Sequence, residues 1–127
     1  MPQRLGFPRT RRIRTPAEYK AVYDVQLRQS RGPLVVYAKA NELGFSRLGL
    51  SVSRRVGVAA KRNRIRRLLR EAFRHMQHDL PTGYDWVVVV KPHEPLMLAD
   101  YQRLLSSLMV ALHTKATGAV KSPPPAS

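Results

Sequence analysis

Fourteen residues, KRNRIRRLLREAFR over Lys61–Arg74, set seven basic side chains against one acid, Glu71. Arginine dominates, and its planar fork matches a phosphate and stacks on rings where lysine offers only a point charge. At about 100° per residue Ile65, Leu68, Leu69, Ala72, Phe73 and Met76 fall into one arc, which predicts a helix with a core face. Asn63, Arg67, Arg70 and Arg74 lie opposite, with Arg62, Arg64 and Arg66 on the flanks. A helix built only for solubility mixes signs at i, i+4, each favourable pair contributing about 0.2–0.5 kcal/mol. Here Arg66 precedes Arg70 and Arg70 precedes Arg74, so like charges repel. A phosphate backbone outside the protein would relieve that repulsion.

A second constellation is aromatic. Tyr19 and Tyr23 stand at i, i+4, and Tyr37 alternates with Val36 and Ala38. Either the rings are core packing for a first helix, or they are platforms on which single-stranded bases stack at about 1–3 kcal/mol each. Arg54 and Arg55 close a strand just before the basic helix, where phosphate contact and plain solvation suit the sequence equally.

Hydrolytic chemistry finds little support. The eight acids are scattered, with no close pair of the kind that holds two metals. His75 and His78 sit at i, i+3 without a third ligand and read as residues of a helix end. Several serines lack a recognisable base partner. The sequence therefore predicts no catalytic residue and no metal site of its own.

The elements that must position these groups follow from periodicity. Thr15, Pro16 and Glu18 form a capping box with proline at the first helical position, and Tyr19, Val22, Tyr23 and Leu27 follow at helical spacing. RGPLVVYAKANE reads as a strand ending in a turn near Asn41–Gly44. RLGLSVSRR reads as the next strand and its antiparallel neighbour. In the latter Leu48, Leu50 and Val52 alternate with Arg47, Gly49, Ser51, Ser53 and Arg55, giving one apolar face and one small, polar, basic face that Tyr37 and Lys39 extend. The four valines of YDWVVVVKP predict a strand covered on both sides and hence central. Met97, Tyr101, Leu104, Leu105, Leu108 and Leu112 mark a last amphipathic helix. The order of helix, strands, helix, strand and helix is an α+β sandwich.

At 127 residues the chain suits one domain. We expect a basic arm over residues 1–14, either an RNA-binding tail or an unstructured terminus; a single nucleic-acid-binding α+β domain over 15–114; and a disordered tail over 115–127. A formal charge of +15 calls for a polyanion. No run approaches a membrane span, the first residues lack a secretory signal, and there is no cysteine, so the simplest expectation is a cytoplasmic protein without a membrane partner. Nothing in the sequence calls for an obligate protein partner. A structural RNA binder, a duplex-DNA binder reading the major groove and a protein-only nuclease are the rival classes.

The segments FPRTRRIRTPAEYKAVYD, LVVYAKAN, RLGLSVSRRVG, AAKRNRIRRLLREAFR and YDWVVVVKP resemble, in order and spacing, the bacterial ribonuclease P protein subunit over roughly residues 7 to 113. The RNR signature at Arg62, Asn63 and Arg64, preceded by LSVSRR, carries most of the likeness. The fold that the resemblance implies is helix–three strands–helix–strand–helix, with a small mixed sheet and a left-handed crossover through the basic helix, against the usual right-handed rule. It implies a cofactor protein for a catalytic RNA that removes the 5′ leader of precursor tRNA, with Mg²⁺ held mainly by RNA and substrate. By motif, Arg62, Asn63, Arg64, Arg66, Arg67, Arg70 and Arg74 fall to the catalytic RNA. Tyr19, Tyr23, Tyr37, Lys39, Ser51, Ser53, Arg54 and Arg55 fall to the cleft for the leader. There are two departures from the family: tyrosines, Tyr19 and Tyr23, stand where phenylalanine is common, and Val58 stands where a polar cap is common, leaving the helix start to packing or bound phosphate.

Overall fold

The computed structural model describes residues 11–118 of the chain. Thr15 accepts from the Glu18 N–H at 3.2 Å while the Glu18 carboxylate accepts from the Thr15 and Arg14 N–H groups, closing the capping box that opens α1 (Pro16–Val25). Three strands follow, β1 (Leu27–Arg31), β2 (Leu34–Ala40) and β3 (Arg47–Val52). A 3₁₀ turn over Arg54–Val56 leads into α2 (Ala59–Met76), then β4 (Tyr84–Val90) and α3 (Leu98–Thr117) complete the order. The fold is α+β, three helices on a four-stranded mixed sheet.

The strand order is β1-β2-β4-β3. β4 runs antiparallel to β2 and parallel to β3, with α2 making the crossover between the parallel pair. The expected antiparallel pairing of the 31–42 and 47–55 strands is therefore corrected: β4 lies between them. Burial explains the choice, because Val87 and Val88 are both fully buried on opposite faces and Trp86 is fully buried beside them, so only the inner position satisfies this strand.

One sheet face carries the main core. Leu34, Val36, Ala38, Leu48, Val52, Trp86 and Val88 meet Ile65, Leu69, Ala72 and Phe73 of α2 and Tyr101, Leu105, Leu108 and Leu112 of α3. The predicted arc of α2 thus faces inward, with Leu68 and Met76 at its margins. On the other face a small cluster of Ile13, Val22 and Val87, flanked by Tyr19, Tyr23, Tyr37 and Val89, seats α1.

Both ends differ from expectation. Of the 1–14 arm, residues 1–10 lie outside the described residues, but Ile13 is buried and its N–H donates to the Leu48 carbonyl at 3.0 Å. Arg12 bridges Leu48 in parallel, so the chain joins the outer edge of β3 before α1 begins. At the other end α3 continues through Thr117, beyond the expected stop at 114, and ends on Gly118 in the left-handed region at φ 70°. Residues 119–127 lie outside the described residues.

Candidate nucleic-acid interface

The basic helix starts without a side-chain cap: Val58 is the N-cap residue, is 73% exposed, and only its carbonyl takes part, accepting from the Arg62 N–H at 3.0 Å. Arg62 instead folds back, its Nε donating to the Gly57 carbonyl at 3.0 Å. Arg66 reaches Asn63 Oδ1 at 2.8 Å and the Val52 carbonyl at 3.3 Å, which ties the helix to the end of β3. Arg74 bonds Glu71 and lowers that carboxyl below its ordinary value, mainly through this hydrogen bond. The acid in the basic run thus answers Arg74 within its own helix.

Asn63, Arg64 and Arg67 are exposed. Arg64 and Arg67, with Lys61, border a cavity of about 820 Å³ between α2 and the Glu94–Pro95 loop. Arg70 turns the other way, into a cavity of about 270 Å³ shared with Arg12, Arg14, Tyr19 and Gly49. Burial, then the charges of Arg12 and Arg66, weakens its hold on the proton relative to an ordinary guanidinium. The signature helix therefore presents cations along two flanks rather than one.

The register of the sheet sets out the second surface. Arg28, Tyr37, Val87 and Gly49 form one row across β1, β2, β4 and β3; Ser30, Val35, Val89 and Ser51 form the next. α1 lies over the first row. Gly49 is where the fit is closest, since a Cβ there would stand 2.9 Å from Tyr19 Cζ. The Tyr19 hydroxyl accepts from the Leu50 N–H at 3.1 Å and donates to the Leu50 carbonyl at 3.2 Å. Tyr23 packs edge-on against Tyr37 with centroids 4.9 Å apart, and burial does most to push its phenol above the ordinary pKa. The second row, with Val35, Val89 and Ser51 half-buried, is left open beside the rings.

Tyr19, Tyr23, Tyr37 and Ser51 are thus brought together. Lys39 is not beside Ser51: it shares its row with Asp85 and Arg47, on the far side of the Tyr37–Gly49 row. That row is closed by charge. Arg47 grips Asp85 through two bonds of 2.9 and 2.6 Å and reaches Glu18 at 3.2 Å, while Asn41 donates to Asp85 at 2.8 Å. The Asp85 bond does most to hold the Arg47 guanidinium above its ordinary pKa. Ser53, Arg54 and Arg55 are exposed where β3 turns toward α2, between the tyrosine surface and the signature helix.

Sequence reasoning missed Arg28. Its strand, LRQSR, has no apolar alternation to announce it, and only the pairing opposite Tyr37 reveals its face. The guanidinium stands 6.0 Å from the Tyr37 centroid and donates to the Tyr37 hydroxyl at 3.3 Å.

Comparison with known sequences decides the family: the Ribonuclease P family model matches residues 7–116. The chain belongs to the ribonuclease P protein family. It is similar to the ribonuclease P protein components of Salmonella arizonae and Edwardsiella ictaluri, each 43% identical over 89 residues, covering 69% of this chain and 74% of theirs. The ribonuclease P protein of Staphylococcus aureus superposes with a TM-score of 0.70 at 28% identity, covering 81% of this chain and 94% of that one. That of Thermotoga maritima gives 0.68 at 27% identity, covering 74% and 90%. Family membership makes the chain a protein component of a ribonucleoprotein endonuclease that works with ribonuclease P RNA. Among the described residues, no helix is long and apolar enough to cross a membrane.

Proposed function

We propose that this ribonuclease P protein binds the catalytic RNA through the signature helix and the 5′ leader of precursor tRNA through the tyrosine surface, promoting leader removal. The observation that carries this reading is the half-open sheet face: three tyrosine rings converge beside an uncovered floor of Val35, Val89 and Ser51, with basic residues at its borders. Rings give a sequence-tolerant platform and cations a track for the backbone, which together suit a single strand. Arg62, Asn63, Arg64, Arg66, Arg67 and Arg70 are the contacts for the RNA subunit. Arg74 takes a lesser part because Glu71 already pairs with it.

Within the leader surface, Tyr23, Tyr37 and Ser51 form the stacking site, Tyr19 supports it, and Ser53, Arg54 and Arg55 lead the strand toward the signature helix. Lys39 serves the opposite margin of α1. Cytoplasmic RNA processing is the setting that this reading assigns.

Mg²⁺ belongs to the family's reaction, and the donors of this chain do not suit it. Six of the eight acids are paired, Glu18 and Asp85 with Arg47, Asp24 with Lys20, Glu71 with Arg74, Glu94 with Lys61 and Asp100 with Arg103, which leaves Glu42 and Asp79. Among the described residues, no three potential ligands cluster. The ion falls to RNA and substrate, and the protein contributes by positioning and by reducing repulsion between polyanions.

The test is binding of precursor and mature tRNA to the reconstituted holoenzyme carrying Tyr23→Ala. Affinity for precursor falls roughly tenfold, as loss of one stacked base implies, while mature tRNA is unaffected. Equal losses on both, in a protein that still folds, would return the rings to packing alone.

A further inference from the structure

We propose that Arg28 and Lys91 form a second subsite for the single strand, beyond Tyr37 at the β1 edge of the sheet, holding a phosphate of a more distant leader nucleotide. The inference rests on the leader reading above and extends it to residues outside the family's signature.

Continuity comes from the register. Arg28 is paired with Tyr37, and Ser30 with Val35, so both β1 side chains lie on the tyrosine face. Val35 is paired in turn with Val89, and the Lys91 N–H bonds the Pro33 carbonyl at 2.8 Å, which carries the β2–β4 pairing one step further. Arg28, Gln29, Ser30, Val35 and Lys91 enclose a cavity of about 500 Å³ that adjoins the open floor.

The chemistry of the cavity fits a nucleotide. Two cations and a hydroxyl surround one apolar side chain, Val35, and no carboxylate lines the cavity. Arg28 and Lys91 are exposed, and among the described residues neither forms an ion pair with an acid. This contrasts with the other margin of α1, where Arg47 is saturated by Asp85 and Glu18. Arg28 is also held in place, since its carbonyl accepts from Lys115 at 3.3 Å and its guanidinium rests on Tyr37. A base stacked at Tyr37 therefore has a positioned cation beside it for its own or the next phosphate, and Lys91 stands across the same cavity.

The experiment uses holoenzyme assembled with a bacterial ribonuclease P RNA and two precursor tRNAs, one with a leader too short to pass Tyr37 and one long enough to cross the sheet. With Arg28→Ala and Lys91→Ala combined, affinity for the long leader falls roughly tenfold and that for the short leader holds. The slope of log affinity on log salt flattens by about 0.7 for each cation removed, on the long leader alone. Lys91→Ala by itself produces a smaller loss of the same kind, which separates the subsite from any disturbance of Tyr37. Equal losses on both leaders, or no loss on the long one, would overturn the subsite. If the unaltered holoenzyme fails to distinguish the two leaders, the leader reading itself falls and takes the subsite with it.

Discussion

The Tyr19 hydroxyl is bonded at once to the N–H and the carbonyl of Leu50, at 3.1 and 3.2 Å. β3 is an edge strand, and its outward backbone groups need partners. Ile13 answers Leu48 and Tyr19 answers Leu50, so one residue ahead of α1 and one within it complete the edge. The Tyr19 hydroxyl thus has a role in the fold.

Tyr19→Phe keeps the ring and removes both bonds. We expect a loss of about 1 kcal/mol in unfolding free energy, partly offset by water at this half-buried site, with leader affinity nearly unchanged. Chemical denaturation and precursor binding measured side by side check it; an affinity loss without a stability loss would assign the hydroxyl to RNA.

Gly49→Ala places a methyl group against the Tyr19 ring, where a Cβ would stand 2.9 to 3.0 Å from three ring and hydroxyl atoms. The ring must shift, at a cost of about 1–3 kcal/mol. The loss should shrink in a Tyr19→Ala background, a coupling that a double-mutant cycle reads directly.

Glu18 ties the N-terminus of α1 to the chain before it and to Arg47. Backbone N–H donors from Arg14 and then Thr15 do most to hold its carboxyl below the ordinary value of 4.5. A depressed folded-state pKa means that the stabilisation is present above 4.5 and is lost as pH falls through the lower, folded value. Glu18→Gln should therefore cost about 0.5–1 kcal/mol near neutrality, and the gap from the unaltered protein should close below about pH 4.5. Urea unfolding across that range checks it, and a gap that stays constant with pH would contradict the role of the charge.

Arg67→Ala with Arg70→Ala removes one cation from each flank of α2. Binding to ribonuclease P RNA should weaken and the salt slope flatten by about 1.5, the share of two phosphate contacts. An unchanged slope would take both residues out of the RNA interface.

Much of this architecture is legible in the residues themselves. Thr15, Pro16 and Glu18 mark the start of α1, the apolar arc from Ile65 to Met76 gives the buried side of α2, and the valines of β4 place it centrally. Strand pairing is not legible in the same way. Alternation in RLGLSVSRR tells which side chains share a face but not which strand lies alongside, and proximity in sequence pointed to β2 where β4 is the neighbour. The site divides similarly. Tyr19, Tyr23, Tyr37 and Ser51 could be grouped from periodicity, whereas the separation of Lys39 and the arrival of Arg28 depend on register. Ile13 was hidden among arginines, in a stretch whose composition describes an arm while one buried side chain makes it an edge partner.

The most direct test is cleavage of a 5′-labelled precursor tRNA at low Mg²⁺ by a bacterial ribonuclease P RNA, with and without this protein, and by the protein alone. The account predicts leader removal only where RNA and protein are combined. Cleavage by RNA that the protein fails to stimulate, or cleavage by the protein alone, would contradict it.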